Sequence, residues 1–258
     1  MTDANSGTKE NSGGGETNGA CLVIGAGDGL GAAIGRAFAA EGLEVCLTRR
    51  PRHLDELERT AQSMREAGGR AHAFGVDARE EGDMVALVDK IESDIGPLEV
   101  VVFNIGANVW FPIVDTTAQV FRKVWEMATF SGFLTGREAA RVMTPRGRGT
   151  ILFTGATASV RGRSHFSAFS SAKHGLRALA QSMARELGPK GVHVGHIIVD
   201  GVIDGNFAQN NVPTYDDMMN NDGILIPDEI AKSYVALWKQ ERTAWTHELD
   251  LRPWTEEW

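Results

Sequence analysis

Short apolar runs alternate with longer amphipathic stretches along most of the chain. The runs predict strands at residues 21–25, 44–48, 71–76, 100–104, 150–154 and 193–199. Strands that are apolar nearly throughout are typical of parallel sheets buried on both faces, and the stretches between them are long enough for helices. The pattern therefore predicts an α/β fold with one doubly wound parallel sheet flanked by helices on both faces.

Two helices are indicated by their apolar spacing. Leu30, Ile34 and Phe38 recur every four residues directly after the first predicted strand. A second stripe stops before Gly188 and Pro189 and consists of Leu176, Leu179, Met183 and Leu187. Both stripes are expected to face the core. Pro227 is predicted to open a further helix that runs to about residue 240.

The domain is expected to span residues 20–258. Residues 1–19 are rich in Gly, Ser, Asn and Thr and cannot bury enough apolar surface to offset the entropy of ordering, so they are predicted to be a disordered tail. Residues 206–226 form an irregular polar insertion after a strand. Such an insertion at the carboxyl end of a strand suits a lid over a substrate.

Composition narrows the possible partners and location. The formal net charge is -8, which argues against a broad nucleic-acid or anionic-membrane surface, because both require clustered basic residues. No apolar stretch approaches the ~20 residues of a membrane helix, and no apolar leader begins the chain, so a cytoplasmic location is expected. Cys21 and Cys46 lie in predicted strands and are expected to be buried free thiols, with no metal site.

A glycine-rich turn follows the first predicted strand and leads directly into a helix. It contains Gly25, Gly27, Asp28, Gly29, Leu30 and Gly31. A strand, a glycine turn and a helix N-terminus allow backbone N–H groups and the helix dipole to bind a pyrophosphate. The turn therefore predicts a dinucleotide site.

Two arginines end the second predicted strand, where an NAD-binding protein would present a carboxylate to the ribose 2′-hydroxyl. Arg49 and Arg50 can instead form charge-assisted bonds to a 2′-phosphate. NADP(H) is therefore the expected cofactor. The alternative is that this basic stretch, which includes Arg52, is an ordinary solvated turn.

The glycine spacing resembles that of the short-chain dehydrogenase/reductase family, whose members have a Rossmann-type fold. Further similar features are Val76-Asp77, the Asn104-Ile105-Gly106 segment, and the helix that carries Lys173. The resemblance extends from about residue 20 to the end of the chain. It implies that Asp77 contacts the adenine, that Asn104 and Gly106 flank the cofactor, and that Lys173 binds the nicotinamide ribose.

The catalytic residues of the family are mostly replaced. Residue-by-residue carry-over puts Phe169 where the family has its tyrosine, Ala156 where it has its serine and Thr129 where it has an asparagine, so only Lys173 remains. Tyr215 and Tyr234 do not recreate the motif. The resemblance thus implies cofactor binding without the usual proton donor.

The segment beside the nicotinamide also departs from the family pattern. It contains Asp200, Val202 and Asp204. Either Asp200 or Asp204 is expected to bring a carboxylate near the cofactor, or the loop takes a different path. An iminium substrate needs no oxyanion stabilisation, and Phe169 with Trp110 would supply an aromatic wall for it. The predicted reaction is therefore hydride transfer to an activated C=N bond, or to a carbonyl, of a small and possibly secondary-metabolite substrate.

Several alternatives remain open at this point. The site is similar to that of fungal alkaloid reductases that double as Diels-Alder cyclases, which suggests a non-redox cyclase, and a non-catalytic NADP(H)-binding protein is also compatible. His165 is a candidate proton donor or an ordinary loop residue. His174 is expected at the surface, because it points about 100° away from Lys173 around the helix.

A homo-oligomer is the expected assembly, as a homodimer or homotetramer. In the family, the contacts involve the long fourth helix, the Lys173 helix and a C-terminal strand. Residues 244–254 resemble that strand, and Trp245, Trp254 and Trp258 suggest a buried end.

Overall fold

A seven-stranded parallel sheet forms the centre of the molecule. The computed structural model describes residues 19–256. The strand order is β3-β2-β1-β4-β5-β6-β7, and every neighbouring pair is parallel. The strands are β1 (Ala20–Ile24), β2 (Glu44–Arg49), β3 (Arg70–Gly75), β4 (Leu98–Phe103), β5 (Thr150–Thr154), β6 (His193–Val199) and β7 (Glu248–Leu251).

Helices cover both faces of this sheet, which confirms the predicted doubly wound architecture. They are α1 (Leu30–Ala40), α2 (Leu54–Glu66), α3 (Glu81–Asp94), α4 (Ala118–Trp125), α5 (Ser131–Met143), α6 (Ser167–Leu187), α7 (Asn206–Asn211), α8 (Tyr215–Asn220) and α9 (Pro227–Trp238). A π-helical segment, Glu126–Phe130, joins α4 to α5. One hydrophobic cluster lies under α1, α2 and α9, and another lies under α3, α5 and α6.

Successive side chains of each strand point to opposite faces of the sheet, so the two hydrophobic clusters lie on opposite faces. Cys21 and Val23 of β1 pack in the first cluster, whereas Leu22 and Ile24 pack in the second. Cys46 of β2 also belongs to the second cluster, so the two cysteines lie on opposite faces of the sheet. Both thiols are free and buried, as predicted, and burial raises the pKa of each.

The predicted lid region is more regular than its sequence suggested. Helices α7 and α8 lie within residues 206–226, and a parallel bridge between Ile203 and Leu225 closes the base of the insertion. Asn206 donates a hydrogen bond of 2.8 Å from Nδ2 to Asp28 of the glycine-rich turn. The insertion is therefore attached to the turn that follows β1.

The chain ends differ in part from the predictions. The predicted tail lies outside the described residues except Gly19, whose carbonyl accepts a hydrogen bond from Glu44 N at 2.9 Å. Trp245 stacks on His193 at 4.9 Å between ring centroids. Trp254 is 80% exposed in the single chain, so burial of this ring would require the predicted oligomer, and Trp258 lies outside the described residues. Among residues 19–256, no helix has the length and apolar character to cross a membrane.

Close packing between α1 and the turn before it depends on a glycine. A Cβ added at Gly31 would lie 2.6 Å from both Ala26 Cα and Gly25 O, whereas a Cβ at Gly27 would meet nothing within 4 Å. Gly31 is thus required for helix–strand packing, and Gly27 leaves open space above the turn.

We expect Gly31→Ala to lower the free energy of unfolding by about 1–3 kcal/mol, because the new methyl group overlaps backbone atoms that cannot move independently. For a domain of this size the melting temperature should fall by roughly 2–4 °C per kcal/mol. Gly27→Ala is the matched control and should melt like the parent protein. Thermal unfolding followed by circular dichroism measures both variants, and equal melting temperatures would contradict the packing argument.

Candidate active site

The strand order reverses between the central strands β1 and β4, and the glycine-rich turn lies at the carboxyl end of β1. Gly25 adopts φ 85°, and the N–H groups of Gly25 and Ala26 donate to Thr48 O at 3.1 and 3.0 Å. Asn104, at the end of β4, donates from Nδ2 to Gly25 O at 3.2 Å. Helix α1 begins at Leu30 without a side-chain cap. Its first-turn N–H groups are therefore not satisfied by a capping side chain, which suits a bound pyrophosphate.

A groove of about 280 Å³ extends from this turn to the end of β2. It brings together seven of the predicted cofactor residues, namely Gly25, Gly27, Arg49, Arg50, Asp77, Asn104 and Gly106. Arg49 is paired with Glu56 at 2.7 Å. Burial, together with the guanidinium groups of Arg52 and Arg79, lowers the pKa of Arg50. A phosphate dianion bound here would offset the repulsion between these neighbouring guanidinium groups.

Asp77 lies in the same groove, and its carboxylate is already bound. Arg79 donates to it from Nε at 2.9 Å and from Nη2 at 2.5 Å, and these bonds lower the pKa of Asp77. The groove thus presents an ion pair beside the adenosine position that the resemblance implies, and Arg79 is a residue that sequence reasoning missed.

A second cavity of about 480 Å³ continues on the other side of β4. It brings together the predicted residues Leu30, Asn104, Gly106, Ala156, Phe169, Lys173 and Val202. Asn104, Ile105 and Gly106 line both cavities. One continuous surface therefore runs from the arginines after β2 to Lys173 and Phe169.

Lys173 is held at the floor of this second cavity by two backbone carbonyls. Its Nζ donates to Ile105 O at 3.0 Å and to Thr154 O at 2.9 Å. The side chain is buried, and desolvation lowers its pKa to about 7. The Phe169 ring centroid lies 6.0 Å from Nζ. Lys173 thus supplies an amine near its titration point at neutral pH, next to an aromatic ring.

No tyrosine hydroxyl replaces the phenol that Phe169 lacks. The chain has two tyrosines, and both hydroxyls are bound elsewhere: Tyr234 to Thr154 Oγ1 at 2.7 Å and Tyr215 to Asp204 at 2.6 Å. Phe169 is 8% exposed and packs near Phe166, with their ring centroids 6.4 Å apart. Phe166 and Phe169 therefore form an apolar wall of the second cavity.

Thr129 does not reach the cavity, which corrects the sequence-based placement of its side chain. Its Oγ1 donates to Ala172 O at 2.7 Å, within the contact between the π-helical segment and α6. It packs against Gly175, where an added Cβ would lie 3.1 Å from Thr129 atoms. The hydroxyl is used to join two helices.

The two predicted acidic residues are also bound to other groups in the fold. Asp200 is 1% exposed and accepts from Thr157 Oγ1 at 2.5 Å and from Arg161 Nη2 at 2.7 Å. Asp204 accepts from Tyr215 and from Gln209, and the bond from Tyr215 lowers its pKa. Neither residue lines the second cavity.

His165 and Trp110 form a pair beside the cavity, not within its lining. Their rings stack at 4.5 Å, and His165 O accepts from Phe111 N at 2.9 Å. His165 adopts φ 69°, which is uncommon outside glycine. Trp110 is 60% exposed, so the aromatic wall consists of Phe166 and Phe169 and not of Trp110 as expected. His174 is exposed, as predicted.

Three charged residues at the cavity were not predicted. Arg161 and Arg163 come from the loop before α6, and Glu256 comes from the segment after β7. The two arginines were recognisable as a basic pair upstream of Phe169. Glu256 was not recognisable, because its place at the site depends on how the chain folds back after the last strand.

Comparisons with known proteins agree with this geometry. The family model described as short chain dehydrogenase matches residues 20–216. A short-chain dehydrogenase/reductase of Hericium erinaceus is 30% identical over 202 residues, which cover 74% of this chain and 79% of that protein. The L-2,3-butanediol dehydrogenase of Corynebacterium glutamicum is 26% identical over 70% of each chain.

A solved short-chain dehydrogenase from Rhodopseudomonas palustris shares 46% identity with a TM-score of 0.79, and the alignment covers 93% of this chain and 100% of that one. The chain belongs to the short-chain dehydrogenase/reductase family of oxidoreductases.

Proposed function

We propose that the protein is an NADP(H)-dependent oxidoreductase that transfers hydride to an activated C=N bond, such as an iminium, or to a carbonyl of a small organic molecule. The observation that carries this proposal is the wall formed by Phe169 and Ala156 beside Lys173 in the second cavity. On this proposal the residues that line the two cavities bind the cofactor, and apolar side chains stand in place of the usual proton-donating groups.

The residues along the two cavities fit a bound NADP(H). The first turn of α1 and the open space above Gly27 suit the pyrophosphate, and Arg49 with Arg50 suits the 2′-phosphate. Lys173 would bind the nicotinamide ribose, with Val202 beside the ring. When bound, the cofactor supplies the hydride.

The lack of a phenol at Phe169 favours an iminium over a carbonyl as the hydride acceptor. A carbonyl oxygen gains negative charge during reduction and needs a proton, and a positioned acid is typically worth about 10²–10⁴ in rate. An iminium nitrogen gains an electron pair and no negative charge, so it needs neither the tyrosine nor the serine. Phe166 and Phe169 would instead exclude water and position the acceptor.

A homodimer or homotetramer is the proposed assembly. An aromatic surface on α4, the π-helical segment and α5 includes Phe121, Trp125 and Phe133, which are 39%, 42% and 39% exposed. Phe130 stacks with Trp125 and with Phe133 at 6.0 and 6.2 Å, so the rings form one patch. Contiguous exposed aromatics of this kind mark interaction surfaces.

Light scattering at micromolar concentration should give at least twice the mass of one 27.9 kDa chain. Trp125→Glu should shift the protein toward monomer, because it places an unpaired charge in the patch. Leu54→Glu is the control, because it adds a charge at a 40% exposed apolar residue of α2, which packs on the opposite face of the sheet from α5. A monomeric parent protein would rule out the proposed assembly.

Replacing Arg49 and Arg50 by alanine should weaken NADPH binding by about 1–3 kcal/mol for each guanidinium removed, because each one makes a charge-assisted bond to the 2′-phosphate. NADH, which lacks that phosphate, should bind the parent weakly and be little changed by the substitutions. Cofactor fluorescence titration measures both, with Arg185→Ala on the exposed end of α6 as the control. Equal affinity of the parent for NADPH and NADH would remove the basis for NADP(H) preference.

A panel of preformed iminium ions, imines, aldehydes and ketones tests the acceptor. With NADPH, the iminium compounds should be reduced and simple ketones should not, as followed by the cofactor absorbance. The double variant Phe169→Tyr with Ala156→Ser should leave iminium reduction little changed and raise ketone reduction, by up to about 10²–10⁴-fold if the phenol is well placed. Lys173→Ala should impair both.

Other results on the same panel would favour different functions. NADPH binding with no oxidation of any acceptor would indicate a non-catalytic binding protein, and product formation without cofactor consumption would indicate a cyclase. Rapid ketone reduction by the parent would show that a surrogate acid, such as His165, replaces the tyrosine.

A further inference from the structure

The charged groups at the mouth of the second cavity are unequally matched. The carboxylates of Asp200 and Glu256 face the guanidinium of Arg161, at 2.7 and 3.7 Å respectively. Arg252 approaches Asp200 at 3.8 Å. Arg252 also pairs with Asp250, so the two guanidiniums of this network face three carboxylates. Of these groups, Arg161 and Glu256 line the cavity, as one matched pair.

Arg163 adds a cation to this mouth. Its side chain is exposed and lines the same cavity, and among residues 19–256 no carboxylate lies within 4.0 Å of it. The loop that carries it is fixed on both sides, by the Arg161–Asp200 pair before it and by a 3.2 Å bond from Phe166 N to Arg163 O after it. The backbone that carries Arg163 at the mouth is therefore held in place by the fold.

The interior of the cavity is apolar beneath this charge. Phe166, Phe169, Ala158 and Val199 line it, and Lys173 lies at its floor with Nζ bound to two carbonyls. A ligand with an apolar body and an anionic end would place the body against the phenylalanines and the anion at the mouth. Among the described residues, the carboxylate that lines the cavity is that of Glu256, which already faces Arg161 at 3.7 Å, and neither Asp200 nor Asp204 lines it, so a purely cationic ligand meets no unpaired carboxylate there.

We propose that Arg163 is a specificity-determining residue that binds a carboxylate of the substrate. The substrate class is then a carboxylate-bearing C=N or carbonyl compound, an imino acid or an oxo acid with an apolar body. The identity of the reducible group rests on the proposed function, whereas the recognition of the carboxylate by Arg163 does not. An iminium carboxylate is zwitterionic, so it would meet Arg163 without bringing an uncompensated positive charge into the cavity.

Binding of simple probes tests this without turnover. Benzoate, benzamide and benzylammonium have similar shapes and carry a negative, no and a positive charge, respectively. Calorimetric titration with each compound in the presence of saturating NADPH therefore shows how ligand charge affects affinity. Benzoate should bind more tightly than the other two. Arg163→Ala should weaken benzoate binding about tenfold and leave benzamide unchanged, and Arg163→Lys should retain most of the benzoate affinity. Arg185→Ala, far from the cavity, is the control and should change nothing.

Two results would overturn the inference: equal affinity for benzoate and benzamide in the parent, or benzoate affinity unchanged in Arg163→Ala. The outcomes separate it from the proposed function. Benzoate binding through Arg163, with no reduction of any C=N or carbonyl compound, would contradict the proposed function and support the inference. Reduction of an iminium ester as efficiently as of the matching iminium carboxylate would contradict the inference and leave the proposed function standing.

Discussion

The active site depends on the way in which one buried amine is held. Lys173 Nζ donates to the carbonyls of Ile105 and Thr154, which follow and end two adjacent strands, β4 and β5. These bonds fix the amine beside the apolar wall of the second cavity. Because the group is desolvated, its pKa falls to about 7, and the amine changes protonation state in the physiological range. The position of α6 relative to the sheet is what maintains this contact.

The two halves of the site have different chemical characters. The half built from β1, β2 and β4 has the glycine-rich turn, the arginines and Asn104 that suit a phosphorylated dinucleotide. The half built from β5, α6 and the loop after β6 has the apolar side chains of Ala156 and Phe169, at positions where the proposed function takes the family's hydroxyls to be replaced. A site that binds the cofactor but lacks a proton donor can still reduce an acceptor that is already activated by its own positive charge. The cationic character of a C=N acceptor provides that activation.

Much of the fold was predictable because local pattern and global architecture agree. The six predicted strands are all present with ends shifted by at most two residues, and α1 and α6 begin and pack as their stripes indicated. The glycine-rich turn was recognisable from its place between a strand and a helix. The short helices α7 and α8 were not predicted, since their polar sequences have no apolar stripe and are ordered by contacts such as Asn206 with Asp28.

The site was less predictable, because side-chain pairing is a tertiary property. Asp200 reads as a free carboxylate in the sequence, yet Arg161 and Thr157 bind it in the fold. Thr129 aligns with a polar position of the family but its hydroxyl bonds to α6. Glu256 reaches the cavity only through the path of the chain after β7. For each of these residues the sequence shows the side chain but not the group that it contacts in the fold.

Hydride transfer without an accompanying proton is the central claim, and isotope effects on a single turnover test it most directly. Rapid-mixing measurements with an iminium acceptor would compare NADPH with NADPH deuterated at the transferred position, in H₂O and in D₂O. The account predicts a primary isotope effect from the cofactor, deuterium at the former C=N carbon of the product, and no solvent isotope effect on the transfer step. A solvent isotope effect on that step, or a product without the label, would contradict it.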